Sequence, residues 1–193
     1  GPDERIDREY DVAGSVVMAG AIDLHTHIGG GKVNIARAML PEDHRGDPVP
    51  RTDVTRASCG HAAPGTLATG YRYAEMGYTA CFEPAVLPIN ARQAHMEMGD
   101  TPIVDKGGYA MLGSDDFLLR LLAGGAEQAV INDYVAWTLH ATRCIAIKVV
   151  NPGGIEAWKQ GRDGFAGLDD EVPGFGVTGR RIVEAVATAA NEL

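Results

Sequence analysis

Two histidines separated by a single residue could share one metal ion. His25 and His27 follow the apolar stretch that ends at Leu24. Side chains two positions apart on a β-strand project from the same face of the sheet, so the two imidazoles would lie side by side. Neutral imidazole is a good ligand for zinc and similar divalent ions. The other interpretation of this short motif is a pair of histidines that only form hydrogen bonds at a strand end.

Lys148 is the one charged residue in the apolar segment 144–150. Burial disfavours an ammonium group and lowers the pKa of a lysine. A neutral amine can react with CO₂, and the resulting carbamate is an anionic ligand whose two oxygens can bridge two metal ions. The alternatives are an ion pair with a carboxylate and a side chain that extends to solvent. In a chain that also carries the histidine pair, we favour the bridge.

Longer segments around these residues resemble a known family. Residues 17–27 resemble the signature at the first strand of amidohydrolase barrels. Further segments are similar to a narrower group, the formylmethanofuran dehydrogenase A-subunit family, and the similarity extends from about Val16 to the C-terminus. These segments are residues 31–34, 41–43, 69–79, 91–92 with His95, 100–105, 148–153 and 156–158.

The resemblance implies roles for particular residues. His25 and His27 would bind the first metal ion, and carboxylated Lys148 would bridge to a second, which makes these three the catalytic and metal-binding residues. The substrate-binding candidates from the matching segments are Lys32, Asn34, His95 and Asn151, and further pocket candidates are Tyr71, Arg72 and Tyr73.

The resemblance also implies ligands that this sequence does not contain. In the family, two histidines and an aspartate from later strands complete the site, and they would lie beyond Leu193. We do not assign their roles to His61, which falls in an irregular stretch, or to His140, which falls in a predicted helix.

The implied reaction is cleavage or formation of an N-formyl amide. Two divalent metal ions, expected to be Zn²⁺, can lower the pKa of a bridging water and polarise a carbonyl oxygen. In the family, the activated water attacks the formyl carbon of formylmethanofuran and gives formate and the free amine, or the reaction runs in reverse. Methanofuran or an analogue would then be the formyl carrier. The implied partners are other subunits of a formyltransferase/hydrolase or formylmethanofuran dehydrogenase complex.

Two alternatives remain open at this point. One is a generic amidohydrolase such as a dihydroorotase or hydantoinase, which shares the histidine pair and the bridging lysine but not the segment 69–79. The other is a non-catalytic, truncated scaffold subunit that holds partners without turning over substrate. Metal content distinguishes the scaffold from an enzyme.

The elements that must position these residues alternate between strands and helices. Apolar runs predict strands over 16–28, 78–83, 109–112 and 144–150, with a turn at 106–108 before the third strand. Helices are predicted over 66–76, 89–98, 126–143 and 178–193, and from Asp115 to the glycine pair at 124–125, whereas 29–64 is predicted to be a long loop with one helical turn.

This alternation predicts an α/β fold with a parallel sheet. A complete (β/α)₈ barrel needs about 250 residues, so four βα units in 193 residues would be the first half of an amidohydrolase TIM-like barrel. We expect a lead-in segment over 1–15 and the half-barrel over 16–193, with the remainder of the barrel absent from this chain.

Composition excludes several classes of protein. The formal charge of −9 disfavours binding to nucleic acid. The three cysteines form no CxxC pair, so neither a disulfide framework nor a thiolate metal site is indicated, and a cytoplasmic location fits best. No apolar run approaches the roughly 20 residues that span a bilayer.

Overall fold

A curled, four-stranded parallel sheet organises the chain. The computed structural model describes residues 5–45, 62–161 and 166–193. The strands are β1 (Ala21–Asp23), β2 (Tyr78–Val86), β3 (Asp105–Met111) and β4 (Ala146–Lys148), and their spatial order is their order in the sequence. Each neighbouring pair is parallel. All four carboxyl ends therefore meet at one edge of the sheet.

Helices connect successive strands, as parallel pairing requires. Short 3₁₀ turns occur at Pro41–Arg45 and Pro88–Asn90, and a small antiparallel pair, β5 (Glu171–Val172) and β6 (Val177–Thr178), precedes the last helix. The helices are α1 (Gly31–Met39), α2 (Thr66–Glu75), α3 (Ala91–Gly99), α4 (Asp116–Ala123), α5 (Gln128–Thr142), α6 (Gly154–Lys159) and α7 (Gly179–Glu192). No helix among the described residues is long and apolar enough to cross a membrane.

The largest core cluster lies between α4, α5 and α7. Its fully buried side chains include Leu118, Ile131, Val135 and Ile182, which recur at helical spacing. Asp115 caps α4 by accepting a hydrogen bond from Leu118 N, and Thr178 caps α7 in the same way from Arg181 N. The predicted helices over 66–76, 126–143 and 178–193 are confirmed, and the left-handed Gly77 (φ 87°) follows α2.

The first strand is much shorter than predicted. The strand begins only at Ala21, because β2 begins at Tyr78 and offers no partner to earlier residues. Val16 and Met18 are 89% and 82% exposed, so the prediction of a buried strand over 16–28 is wrong for its first half. The last strand is also shorter than predicted, three residues rather than seven.

The long loop predicted over 29–64 is replaced in part by α1 and the 3₁₀ turn that follows it. Part of that loop, 46–61, lies outside the described residues and includes His61. The stretch between β4 and α7, for which no helix or strand is predicted, contains α6 and the β5–β6 pair.

Glycines predicted to form a turn lie inside β3 instead. A Cβ at Gly107 would be 2.8 Å from Phe82 Cδ1, and a Cβ at Gly108 would be 2.7 Å from Val86 Cγ2. Close approach of the side chains of β2 therefore requires glycine at both positions. The strand consequently begins at Asp105, four residues earlier than predicted.

Candidate metal centre

The histidine pair lies just beyond the end of β1. Asp23, the last residue of β1, accepts a hydrogen bond from His25 N through Oδ1 at 2.9 Å. Pairing continues beyond the strand, because Thr26 N donates to Phe82 O at 2.9 Å. The rings of His25 and His27 lie edge to face, with centroids 5.4 Å apart and planes at 87°. The structure therefore brings the two imidazoles together, as their spacing predicts.

Lys148 reaches the histidine pair from the opposite edge of the sheet. It is the last residue of β4, and its Nζ lies 3.2 Å from Nδ1 of His25, 123 residues away in sequence. Three interstrand spacings in a flat sheet would separate β1 from β4 by about 14 Å. The sheet must curl to allow this contact, and the curl closes the site around the strand ends.

The surroundings of Lys148 differ in one respect from the prediction. Its side chain is only half-buried, so the complete desolvation inferred from its apolar neighbours does not hold in this chain. Within the described part of the chain, Lys148 forms its hydrogen bond with His25 and makes no ion pair with a carboxylate. The alternative of a lysine neutralised by an acidic neighbour therefore has no support among these residues.

Glu83 is a site residue that the sequence analysis missed. It lies in β2 and is 1% exposed. Its Oε1 contacts Nδ1 of His27 at 2.8 Å, and Oε2 accepts a hydrogen bond from Ile28 N at 2.9 Å. The sequence feature that could have identified Glu83 is an acidic residue inside an otherwise apolar strand. A charged residue in an apolar strand is also the feature that singled out Lys148.

A cavity of about 360 Å³ adjoins His27. Lys32, Arg72 and Tyr73, three predicted pocket residues, line it together with apolar side chains from α1 and from the residues on either side of α2. Burial, together with the charge of Asp23, raises the pKa of the Tyr73 phenol, so this ring stays neutral. The predicted candidate Tyr71 is exposed and is not among the lining residues.

Asn34 has a structural role instead of facing the histidines. Its Nδ2 donates to Glu97 Oε1 at 2.6 Å, and its Oδ1 accepts from Arg37 Nη1 at 2.7 Å. Arg37 in turn donates to Pro64 O through Nε and Nη2. This network joins α1 to α3 and to the segment before α2, and it occupies both ends of the Asn34 amide.

The remaining predicted residues lie in different places. His95 is on α3, and its Nε2 contacts Thr142 O at 2.8 Å, at the end of α5 that leads into β4. It is therefore not brought to the histidine pair, which lies at the opposite ends of the strands. Asn151 follows β4 at the same edge as the site, in a left-handed conformation (φ 43°). His140 is an exposed residue of α5.

The donor set on this chain fits part of a metal centre. Among the described residues, no three histidine, cysteine, aspartate or glutamate side chains lie together so as to hold a metal ion. Two imidazoles and one amine do lie together, and the amine becomes an oxygen ligand only as a carbamate. The residues present therefore suit a site whose other ligands come from elsewhere.

Comparison with known families defines the class of protein. Residues 8–192 match the Amidohydrolase family, and the chain belongs to that family. The four parallel strands form a curled half-barrel, consistent with the first half of an amidohydrolase barrel, so the predicted fold class is confirmed.

Two characterised relatives narrow the resemblance. The chain is 39% identical over 193 residues to the Fhc A-subunit of the formyltransferase/hydrolase complex of Methylorubrum extorquens, covering 100% of this chain and 34% of the relative. It is 43% identical over 183 residues to protein FwdA of Methanocaldococcus jannaschii, covering 95% and 32%. The predicted family resemblance is thereby confirmed, and the chain spans about a third of the length of these relatives.

A solved structure supports the same family resemblance as these two relatives. The X-ray structure of the formyltransferase/hydrolase complex FhcABCD from Methylorubrum extorquens, in complex with methylofuran, contains a chain that is 38% identical. The TM-score is 0.85, and the match covers 98% of this chain and 34% of that one.

Proposed function

We propose that this chain contributes His25, His27 and Lys148 to a dinuclear metal centre that hydrolyses, or in reverse forms, the N-formyl amide of formylmethanofuran or an analogue. The observation that carries the proposal is the 3.2 Å approach of Lys148 Nζ to His25 Nδ1 from opposite edges of the sheet. The similarity to FwdA and to the Fhc A-subunit supports the choice of substrate. These relatives favour this substrate over that of the dihydroorotase-like alternative.

Zinc is the ion that this donor set favours. Imidazole nitrogens and carboxylate-like oxygens are its usual ligands in catalytic sites. His25 and His27 would hold the first ion. Lys148 would bridge to the second after its neutral Nζ forms an N–C bond with CO₂ and loses one proton. The bound ions would supply an activated water and would polarise the formyl oxygen.

The chain's own residues would orient the substrate. The cavity beside His27 carries two cationic side chains, Lys32 and Arg72, which favour an anionic group on the formyl carrier. In hydrolysis, water adds to the formyl carbon, the C–N bond breaks, and the amine leaves with a proton. Formate and the free amine are the products. The reverse reaction condenses the same two molecules.

The proposed setting is a multi-subunit complex in the cytoplasm. The relative of known structure was solved within the FhcABCD complex, together with methylofuran. Cys81 and Cys144 are buried free thiols, which suits a reducing compartment. A scaffold subunit without metal remains the contrasting hypothesis.

Metal analysis of the assembled complex tests the proposal. We expect about two zinc ions per subunit in the wild type. His25→Ala should lose zinc and deformylation while it retains assembly. The matched control is His140→Ala, which removes an exposed histidine of α5 and should leave both unchanged. Zinc-free, inactive wild-type protein with intact assembly would support the scaffold hypothesis instead.

A further inference from the structure

Glu83 is a buried carboxylate in the strand next to the histidine pair. At 1% exposure it has lost its hydration, which is costly unless hydrogen bonds replace it. Its only ion-pairing neighbour among the described residues is the imidazole of His27. Its remaining partners are backbone N–H groups, so its negative charge is directed at the turn after β1 and at one ring.

The two oxygens of Glu83 have separate partners. Oε2 accepts from Ile28 N at 2.9 Å and from Gly29 N at 3.4 Å. Oε1 accepts from Ala85 N at 3.1 Å and contacts His27 Nδ1 at 2.8 Å. Because both oxygens already act as acceptors, the hydrogen of the imidazole contact belongs on Nδ1. The lone pair of His27 is then on Nε2, the nitrogen that a metal ion can use.

We propose that Glu83 is the positioning residue of the metal centre: its carboxylate fixes the Nδ1–H tautomer and the orientation of His27, so that Nε2 is presented to the metal. This inference rests on the proposed metal site. Residues in this position, which orient a histidine ligand, typically affect metal affinity by 10–100-fold.

Glu97 provides a control for a second role of Glu83, which is to hold the turn after β1 through backbone hydrogen bonds. Its Oε2 accepts a hydrogen bond from Gly30 N at 2.9 Å, one residue beyond the N–H groups that Glu83 holds. Both carboxylates therefore stabilise the same turn, but only Glu83 contacts an imidazole. If Glu83 acted only on this turn, substitution of either glutamate should weaken zinc binding.

Substitution by glutamine separates these roles at Glu83. The amide oxygen of Glu83→Gln is best placed at Oε2, where two backbone N–H groups converge. The NH₂ group would then face His27 Nδ1 and would donate to it. The ring hydrogen would move to Nε2 and would block the lone pair that binds the metal.

Zinc affinity of the assembled complex, measured by chelator competition, tests the proposal with zinc alone as the probe. We expect Glu83→Gln to bind zinc 10–100-fold more weakly than the wild type. Glu97→Gln should bind zinc as the wild type does. In the cobalt-substituted protein, the visible absorption should change in Glu83→Gln and remain unchanged in Glu97→Gln. Circular dichroism verifies that each variant is folded.

Three results would overturn the inference while the metal site itself stands. The first is wild-type zinc affinity in Glu83→Gln. The second is an equal loss of zinc affinity in Glu83→Gln and Glu97→Gln, which would indicate that Glu83 acts only on the turn. If Glu83→Gln does not fold, NMR of the histidine rings in the wild type decides, since an Nε2–H tautomer of His27 contradicts the proposal. A wild-type complex that binds no zinc would instead overturn the metal site itself, and this inference with it.

Discussion

Lys148 Nζ and His25 Nδ1 lie 3.2 Å apart although Lys148 ends one edge strand of the sheet, β4, and His25 follows the other, β1. No other described residue joins the ends of β1 and β4 by a side-chain hydrogen bond. The contact therefore depends on the curl of the sheet, and it places the amine where a carbamate would face the histidine pair.

Replacing Lys148 tests the carbamate directly. Lys148→Ala removes the amine, and Lys148→Arg keeps a cation that cannot be deprotonated in proteins and so cannot react with CO₂. Both variants should lose at least about 100-fold in kcat/KM for deformylation, and zinc content should fall. Steady-state assays and metal analysis of the assembled complex measure these effects.

Lys159→Arg is the matched control, because Lys159 is an exposed α6 residue whose ion pair is with Glu156. It should retain full activity. Mass spectrometry of the wild-type peptide containing Lys148, under conditions that preserve carbamates, should detect the added CO₂. Full activity in Lys148→Arg would refute the bridging role.

Local sequence patterns predicted most of the helices. α2, α5 and α7 have apolar residues at helical spacing and polar or glycine residues at their ends, and these signals act within a few residues. The start of β1 and of β3 depended instead on distant partners. β1 begins only where β2 offers Tyr78, and Gly107 belongs to a strand because Phe82 packs over it.

The candidate site was predictable where its chemistry was unusual for its surroundings. Histidines two residues apart and a lysine in an apolar strand stand out in one sequence. Glu83 also stood in an apolar strand, but its partner His27 lies 56 residues away, and only pairing of β1 with β2 brings them together. The polar groups of Asn34 and His95 find hydrogen-bond partners that are distant in sequence, which the sequence does not reveal.

Asn34 should matter for stability more than for substrate binding. Asn34→Ala leaves Glu97 and Arg37 each without one hydrogen-bond partner. We expect a loss of about 1–3 kcal/mol in the free energy of unfolding, measured by urea denaturation. KM of the folded fraction should not change. A raised KM with unchanged stability would return Asn34 to the substrate pocket.

Gly70 should be intolerant of alanine for a packing reason. It lies in α2, and a Cβ there would be 2.3 Å from Pro102 O, a backbone atom that cannot easily move. Gly70→Ala should lower the free energy of unfolding by about 1–3 kcal/mol, although alanine is normally the better helix former. Gly99→Ala is the control, since no atom lies within 4 Å of its Cβ position, and it should be neutral or stabilising. Thermal unfolding measures both variants, and equal changes in stability for Gly70→Ala and Gly99→Ala would contradict the packing argument.

Tyr134 should make stability fall at high pH. Its hydroxyl donates to Asp115 Oδ1 at 2.7 Å, between α5 and the N-terminus of α4. Burial, and next the hydrogen bond and charge of Asp115, raise the pKa of the phenol well above its ordinary value of 10.0. The folded state therefore holds this proton more tightly than the unfolded state.

The sign of the effect follows from that difference. The contribution of Tyr134 to stability is complete below the pH at which the unfolded phenol titrates, and it is lost as pH rises from there through the folded-state pKa. Urea unfolding at about pH 8 and about pH 11 should give a smaller difference in Tyr134→Phe than in the wild type. The comparison between the two proteins cancels the titration of other groups, such as the buried phenol of Tyr73. The same pH dependence in both proteins would show that the Tyr134 phenol does not link folding to pH.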